Sequence, residues 1–150
     1  SFGSKFQNLL IYGNTGVGKT FLTHCIAREL MDHIHSVIYV TSSQLFDILG
    51  SREFDTDPEK RQAGALLDEC ELLIIDDLGT ELTNSFTVSQ LFICLNDRIL
   101  QKESTIISTN LSLNEIKSIY SERTFSRISS NYRLLKLAGD DIRIKKKLMK

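Results

Sequence analysis

Eight residues, GNTGVGKT at positions 13 to 20, hold three glycines and end on a lysine and a threonine. Glycine forgoes side-chain packing and loses more entropy on ordering than other residues, so this density indicates that the backbone itself approaches something closely. The apolar run NLLIY precedes the stretch, and Leu22, Cys25, Ile26 and Leu30 follow it at helical spacing. Between a strand and a helix, Gly13, Gly18, Lys19 and Thr20 satisfy the phosphate-loop pattern G-x-x-x-x-G-K-[ST]. In such a turn the N–H groups of Asn14, Thr15, Gly16, Val17 and Gly18 converge on an anion, backed by the positive end of the next helix. Lys19 is expected to neutralise terminal phosphate oxygens and Thr20 to ligate Mg2+, with Phe21 closing the cofactor-binding stretch. A chance match is expected in about one chain in a hundred of this length. ATP or ADP with Mg2+ is the ligand these residues predict.

The rest of the chain repeats strand then helix. SVIYVT reads as a β-branched strand, followed by a short helix around QLFDIL and a polar stretch, SREFDTDPEK, with the only proline. RQAGALLDEC reads as a helix leading into the apolar strand ELLIIDD, and Val88, Leu91, Phe92, Leu95 and Ile99 mark a long amphipathic helix before the strand STIISTN. SLNE is a capping box with Ser112 as N-cap and Glu115 at N3. SERTFSRISS reads as a further short helix and YRLLKLAG as a fifth strand. Near-continuous apolar strands separated by helices predict an α/β fold whose parallel sheet is covered on both faces.

Two further stretches turn a phosphate-binding loop into a candidate reaction centre. LLIIDDLG carries acid to the end of a buried strand, where the carboxyl edge of such a sheet forms the ligand crevice. Asp76 is suited to the magnesium shell, and Asp77 can orient and polarise an attacking water. Asn110, closing STIISTN, would place a neutral donor and acceptor in the same crevice; the bland alternative is a turn-forming asparagine.

Bulk properties set the remaining bounds. A chain of 150 residues with 41% hydrophobic and 25% charged residues suits one domain with a real core. No apolar run nears the roughly 20 residues of a membrane helix and no signal-peptide pattern opens the chain, which predicts a cytoplasmic protein with no membrane partner. Cys25, Cys70 and Cys94 fall in helix-like apolar patterns without zinc spacing to the histidines and are expected to be buried, reduced thiols. Residues 1–115 carry 8 Lys+Arg against 16 Asp+Glu, whereas residues 116–150 carry 10 against 3. For the last run of that basic quarter, RIKKKLMK, a solvated face and an anion or nucleic-acid contact fit equally well. The aromatics in YSERTF and NYRLLK could stack on bases, but core positions explain them more simply.

GNTGVGKT, LIIDDLG and STN, in this order, resemble the first three signatures of AAA+ ATPases. DDLGTELTNSF, TIISTNLSLNEI, YSERTFSRI and GDDIRIKK are similar to the ATPase domain of bacterial replicative-helicase loaders of the DnaC/DnaI type. The resemblance covers nearly the whole chain. It implies a P-loop NTPase sandwich with a five-stranded sheet, in which the strand ending at Asn110 lies between those ending at Gly13 and Asp76. It also implies that Arg127 is an arginine finger reaching a neighbouring subunit's nucleotide, with Arg123 as rival, and that Arg143 is the sensor-2 arginine facing its own. An ATPase assembled this way would be weak as an isolated subunit and faster on self-association.

The same resemblance implies a replicative DNA helicase and single-stranded DNA as partners. Only SFGSKFQ precedes the first strand and a short segment follows the last. The expectation is therefore one ATPase domain over 1–150 with a reduced lid, cut from a longer protein whose helicase-gripping region lies elsewhere. Two other classes share the loop. A transposition helper ATPase (IstB-like) would act on a transposase and duplex DNA. A small-molecule kinase would need an acceptor pocket or lid for which the sequence gives no signal.

Overall fold

Strand–helix alternation runs through the chain as β1 (Leu9–Gly13), α1 (Lys19–Leu30), β2 (Val37–Thr41), α2 (Ser42–Ser51), α3 (Pro58–Glu69), β3 (Leu72–Leu78), α4 (Ser85–Leu100), β4 (Ser104–Thr109), α5 (Leu113–Tyr120), α6 (Glu122–Asn131) and β5 (Arg133–Leu137). These elements belong to a computed structural model that describes residues 7–13, 18–30, 34, 36–51 and 57–137. Asn14, Thr15, Gly16, Val17 and Arg143, all given roles above, lie outside the described residues, as does the basic run after β5.

All strand pairs are parallel, in the order β2-β3-β4-β1-β5. β4 therefore lies between β1 and β3, as the resemblance implied. Alternation sorts the strand side chains onto two faces. Leu9 and Ile11 of β1, Leu72 and Ile74 of β3 and Ile106 of β4 pack with Leu22, Ile26 and Ala27 of α1. Leu10, Leu73, Ile75 and Ile107 point the other way, into the larger core with Leu45, Leu49, Leu67, Leu91, Leu95, Ile116, Tyr120 and Ile128. Helices on both faces hide the three central strands, as parallel sheets require. β5, one of the two edge strands, stays largely exposed, a departure from the expected coverage of both faces.

The helix ends follow their sequence signals. Ser112 and Glu115 exchange their capping-box bonds at 3.0 and 3.1 Å, and Asn84 and Thr87 form a second box that the sequence reading missed. Pro58 opens α3 at N1 instead of sitting in a loop, with Asp57 capping the Glu59 N–H at 3.0 Å. Cys70 and Cys94 are buried free thiols, but Cys25 is exposed: helical spacing placed it at the margin of the apolar stripe, not on it. Tyr120 and Tyr132 are buried and Phe125 packs against the core, so they serve packing and offer no stacking surface for bases. No helix among the described residues is long and apolar enough to cross a membrane.

The largest fully buried side chain is charged: Arg98 of α4 is completely inaccessible. Its guanidinium donates to the carbonyls of Leu67 and Cys70 at 2.8 Å each, to the Ser104 carbonyl at 2.6 Å and to Thr105 Oγ1 at 2.9 Å. Leu67 and Cys70 end α3, where unpaired carbonyls and the negative end of the helix dipole favour a cation. One side chain thus ties α3 and α4 to the start of β4. The same burial pushes the Cys70 thiol above its usual range, with the Arg98 charge opposing. Arg98→Met would leave these acceptors buried without donors, and we expect it to lower the unfolding free energy by about 3 kcal/mol or more in a denaturant titration. A loss below about 1 kcal/mol would show that the guanidinium is not a structural tie.

Candidate functional site

The motif residues described meet at the carboxyl edge of β1, β3 and β4. Gly13 ends β1 with φ 149°, opposite Leu137 of β5, and a Cβ there would sit 1.9 Å from the Leu137 carbonyl oxygen. Its side-chain-free backbone is thus required by the neighbouring strand. Gly18 has φ 90°, a conformation that favours glycine, and its carbonyl accepts the Leu22 N–H at 2.9 Å as α1 begins. Lys19, at the first position of α1, is 7% exposed and turns back so that its ammonium donates to the Gly13 carbonyl at 3.0 Å. Burial lowers the Lys19 pKa, while the carboxylates of Asp77 and Asp76 oppose that shift.

Strict alternation would send the adjacent Asp76 and Asp77 to opposite faces of the sheet. Asp76 continues the Leu72–Ile74 series on the α1 side. There its Oδ1 accepts from Ser108 Oγ at 2.6 Å and lies 3.4 Å from the Thr20 hydroxyl. The register of β3 against β4 then shifts between Ile75 and Leu78, and Asp77 takes φ 61°. Asparagine and aspartate tolerate this left-handed conformation better than most residues. The Asp77 N–H donates to Ser108 Oγ at 3.0 Å, and the exposed carboxylate is met by Asn110 Nδ2 at 3.4 Å. The bulge re-aims the second acid, as bulges beside active sites commonly do. Lys19, Thr20, Asp76, Asp77 and Asn110 are therefore brought together. Phe21, 54% exposed, shares their helix but none of their described bonds.

Oxygen donors dominate the place where a metal would sit: the Thr20 hydroxyl and a carboxylate oxygen of Asp76, with no sulfur or imidazole among the bonds described there. That donor set fits Mg2+, which takes one or two protein oxygens and fills its other positions with water and phosphate. The described residues hold no cluster of three or more His, Cys, Asp or Glu side chains that would favour a different metal.

Three residues that sequence reasoning missed support the site from its surroundings. Ser108 bridges the two acids, and its position two residues after Ile106 on a strand was the available signal. Tyr39 of β2 donates its hydroxyl to Asp76 Oδ2. Glu81, after β3, accepts from the hydroxyls of Ser42 and Tyr120 and, at 3.0 Å, from the Gly79 N–H. Nothing in the polar stretch GTELTN distinguished Glu81 from a solvated acid.

The arginines lie elsewhere on the fold. Arg127 and Arg123 are both exposed on α6, which begins at the left-handed Ser121 directly after Tyr120. The guanidinium of Arg123 lies over the Phe92 ring, 4.2 Å from its centroid, whereas the Arg127 side chain makes no hydrogen bond or ion pair among the described residues. Glu81 therefore ties the loop after the acids to the end of the helix preceding these arginines. Glu81→Ala would strand the buried Tyr120 hydroxyl, and we expect it to cost about 2 kcal/mol of stability in chemical denaturation; an unchanged midpoint would rule out that tie.

A family model described as IstB-like ATP binding protein matches residues 1–149. The replicative helicase loader DnaI of Bacillus subtilis is 32% identical over 124 residues, covering 79% of this chain and 39% of that protein. A putative insertion sequence ATP-binding protein, y4pL of Sinorhizobium fredii, is 30% identical over 142 residues, 91% of this chain and 57% of that one. This chain thus spans less than two thirds of either relative. Among solved structures, the replication initiator DnaA bound to AMPPCP and single-stranded DNA superposes with a TM-score of 0.78 at 22% identity, over 98% of this chain and 46% of that one. That likeness shows the fold of an AAA+ P-loop domain.

Proposed function

Because the chain belongs to the IstB-like ATP-binding protein family, we propose that it is the ATP-hydrolysing domain of a replicative-helicase loader, working in the cytoplasm and using ATP and Mg2+ to switch its contacts with helicase and single-stranded DNA. The observation that carries the reading is the buried Lys19 ammonium held at the carboxyl edge of β1, in the field of Asp76 and Asp77. A cation in that place is suited to terminal phosphate oxygens. The main-chain N–H groups of residues 14–18 would hold the β-phosphate, and Thr20 and Asp76 would hold Mg2+, Asp76 usually through water. The metal would supply charge neutralisation across the phosphates. Asp77, kept out of the sheet by its left-handed backbone, would accept a hydrogen bond from the attacking water, and Asn110 would fix that water without adding charge.

Charge spread over the transferred phosphoryl group calls for a further cation, and Arg127 is suited to deliver it to a neighbouring subunit. Arg123, occupied by Phe92 of its own chain, is the poorer candidate. Arg143 would face the nucleotide of its own subunit. An isolated subunit then has an incomplete site and turns ATP over slowly. The chain would be the ATPase part of a longer protein, with helicase gripped by a separate region.

A second reading, a helper ATPase for transposition, is favoured by the 30% identity to y4pL over 91% of this chain. The two differ in partner and DNA. For the loader we expect the longer protein to capture the replicative helicase and prefer single-stranded over duplex DNA; capture of a transposase with preference for duplex would favour the helper. For either, Arg127→Ala should leave ATP binding intact and remove most of the turnover gained on assembly, by roughly 10³-fold or more. Undiminished turnover of that variant in the assembled state would exclude Arg127 as the finger.

A further inference from the structure

We propose that Tyr39 is a positioning residue for Asp76: by holding one carboxylate oxygen from β2, it keeps the other facing Thr20 and thereby sets the site's affinity for Mg2+. The inference rests on the reading of this edge as an ATP and Mg2+ site. It concerns a residue outside the three stretches that identified the site.

Register and alternation put Tyr39 in reach. Val37 packs on the α1 side of the sheet, so Tyr39, two residues on, faces the same way, as do Asp76 after Leu72 and Ile74 and Ser108 after Ile106. The β2–β3 register sets Thr41 opposite Asp76 and Tyr39 opposite Ile74. Reaching Asp76 from that offset requires a side chain that extends along the strand by two residues, and the phenol does so, ending on Oδ2. From the other flank, Ser108 Oγ donates to Oδ1 at 2.6 Å. The two strands that flank β3 thus grip the carboxylate, one oxygen each.

An aspartate carboxyl is otherwise free to turn, because its terminal torsion is broad. Gripped on both oxygens, it cannot turn without breaking a hydrogen bond to an ionised acceptor, among the stronger bonds in proteins. Oδ1 is thereby kept 3.4 Å from the Thr20 hydroxyl, the two donors a magnesium shell would use. The tyrosine ring is itself located by His24 of α1, at 5.3 Å between centroids and 55° between planes. The helix that carries Lys19 and Thr20 therefore also fixes the group that orients Asp76.

Orienting partners of metal ligands commonly matter 10- to 100-fold for metal affinity or activity. Tyr39 is 41% exposed, so water can replace part of its bond. Tyr39→Phe keeps the ring and its His24 contact while removing the donor. Mg2+ is titrated into the protein at a fixed concentration of a fluorescent ADP analogue, and metal-free nucleotide affinity is measured in parallel. We expect the half-saturating Mg2+ concentration to rise about three- to tenfold in the variant. Metal-free affinity should stay within about twofold, because the Tyr39 hydroxyl donates to Asp76, the residue assigned to the metal. A half-saturation equal to or below that of the unaltered protein, with metal-free binding intact, would overturn the role of Tyr39 and leave the ATP reading standing. Failure of the unaltered protein to bind the analogue at all would overturn both.

Discussion

A buried ammonium facing two consecutive carboxylates is the arrangement on which this edge of the sheet depends. Desolvation disfavours the charge on Lys19, and the acids at the end of β3 restore part of what burial removes. Consecutive strand residues ordinarily face opposite sides, so both acids can serve the same cation only if the strand breaks its own alternation. The register shift after Ile75 and the left-handed Asp77 supply that break. Ser108 binds both parts of it, through the Asp76 carboxylate and the Asp77 N–H.

Around this centre the structure is tied by single polar side chains set among apolar neighbours. Arg98 gathers the end of α3 and the start of β4 far from the candidate site, while Glu81 joins the loop after β3 to α2 and to the α5–α6 junction. A buried charge such as Arg98 is tolerated only when its hydrogen bonds are satisfied, and the half-buried Glu81 likewise answers several donors with one carboxylate. The second tie has a mechanical consequence. A displacement of the loop behind the acids cannot leave Tyr120 and the arginine-bearing helix untouched, because the buried hydroxyl would lose its acceptor.

Much of the fold was legible because the relevant signals are local. Runs such as ELLIIDD and STIIST hold consecutive aliphatic residues at their centres and read as buried strands, and SLNE announces a cap by two reciprocal bonds within four residues. The convergence of Lys19, Thr20, the acid pair and Asn110 was legible for the same reason. What escaped depends on neighbours distant in sequence. Arg98 occupies a buried position that periodicity alone would assign to an apolar residue, and its partners lie as far as 31 positions away. Tyr39 and Glu81 act through contacts 37 and 39 positions away, and no pattern within their own segments marks them. Cys25 was misjudged because helical spacing gives a direction around the axis but not the width of the surface that covers it.

The central claim is that the ammonium at the start of α1 captures the terminal phosphates of a nucleotide. Calorimetric titration of ATP with Mg2+ into the protein and into Lys19→Ala tests it directly. The account predicts at least about a hundredfold loss of affinity in the variant, the scale of a lost charge-assisted contact of about 3 kcal/mol. Equal affinity of the two proteins for ATP would contradict it.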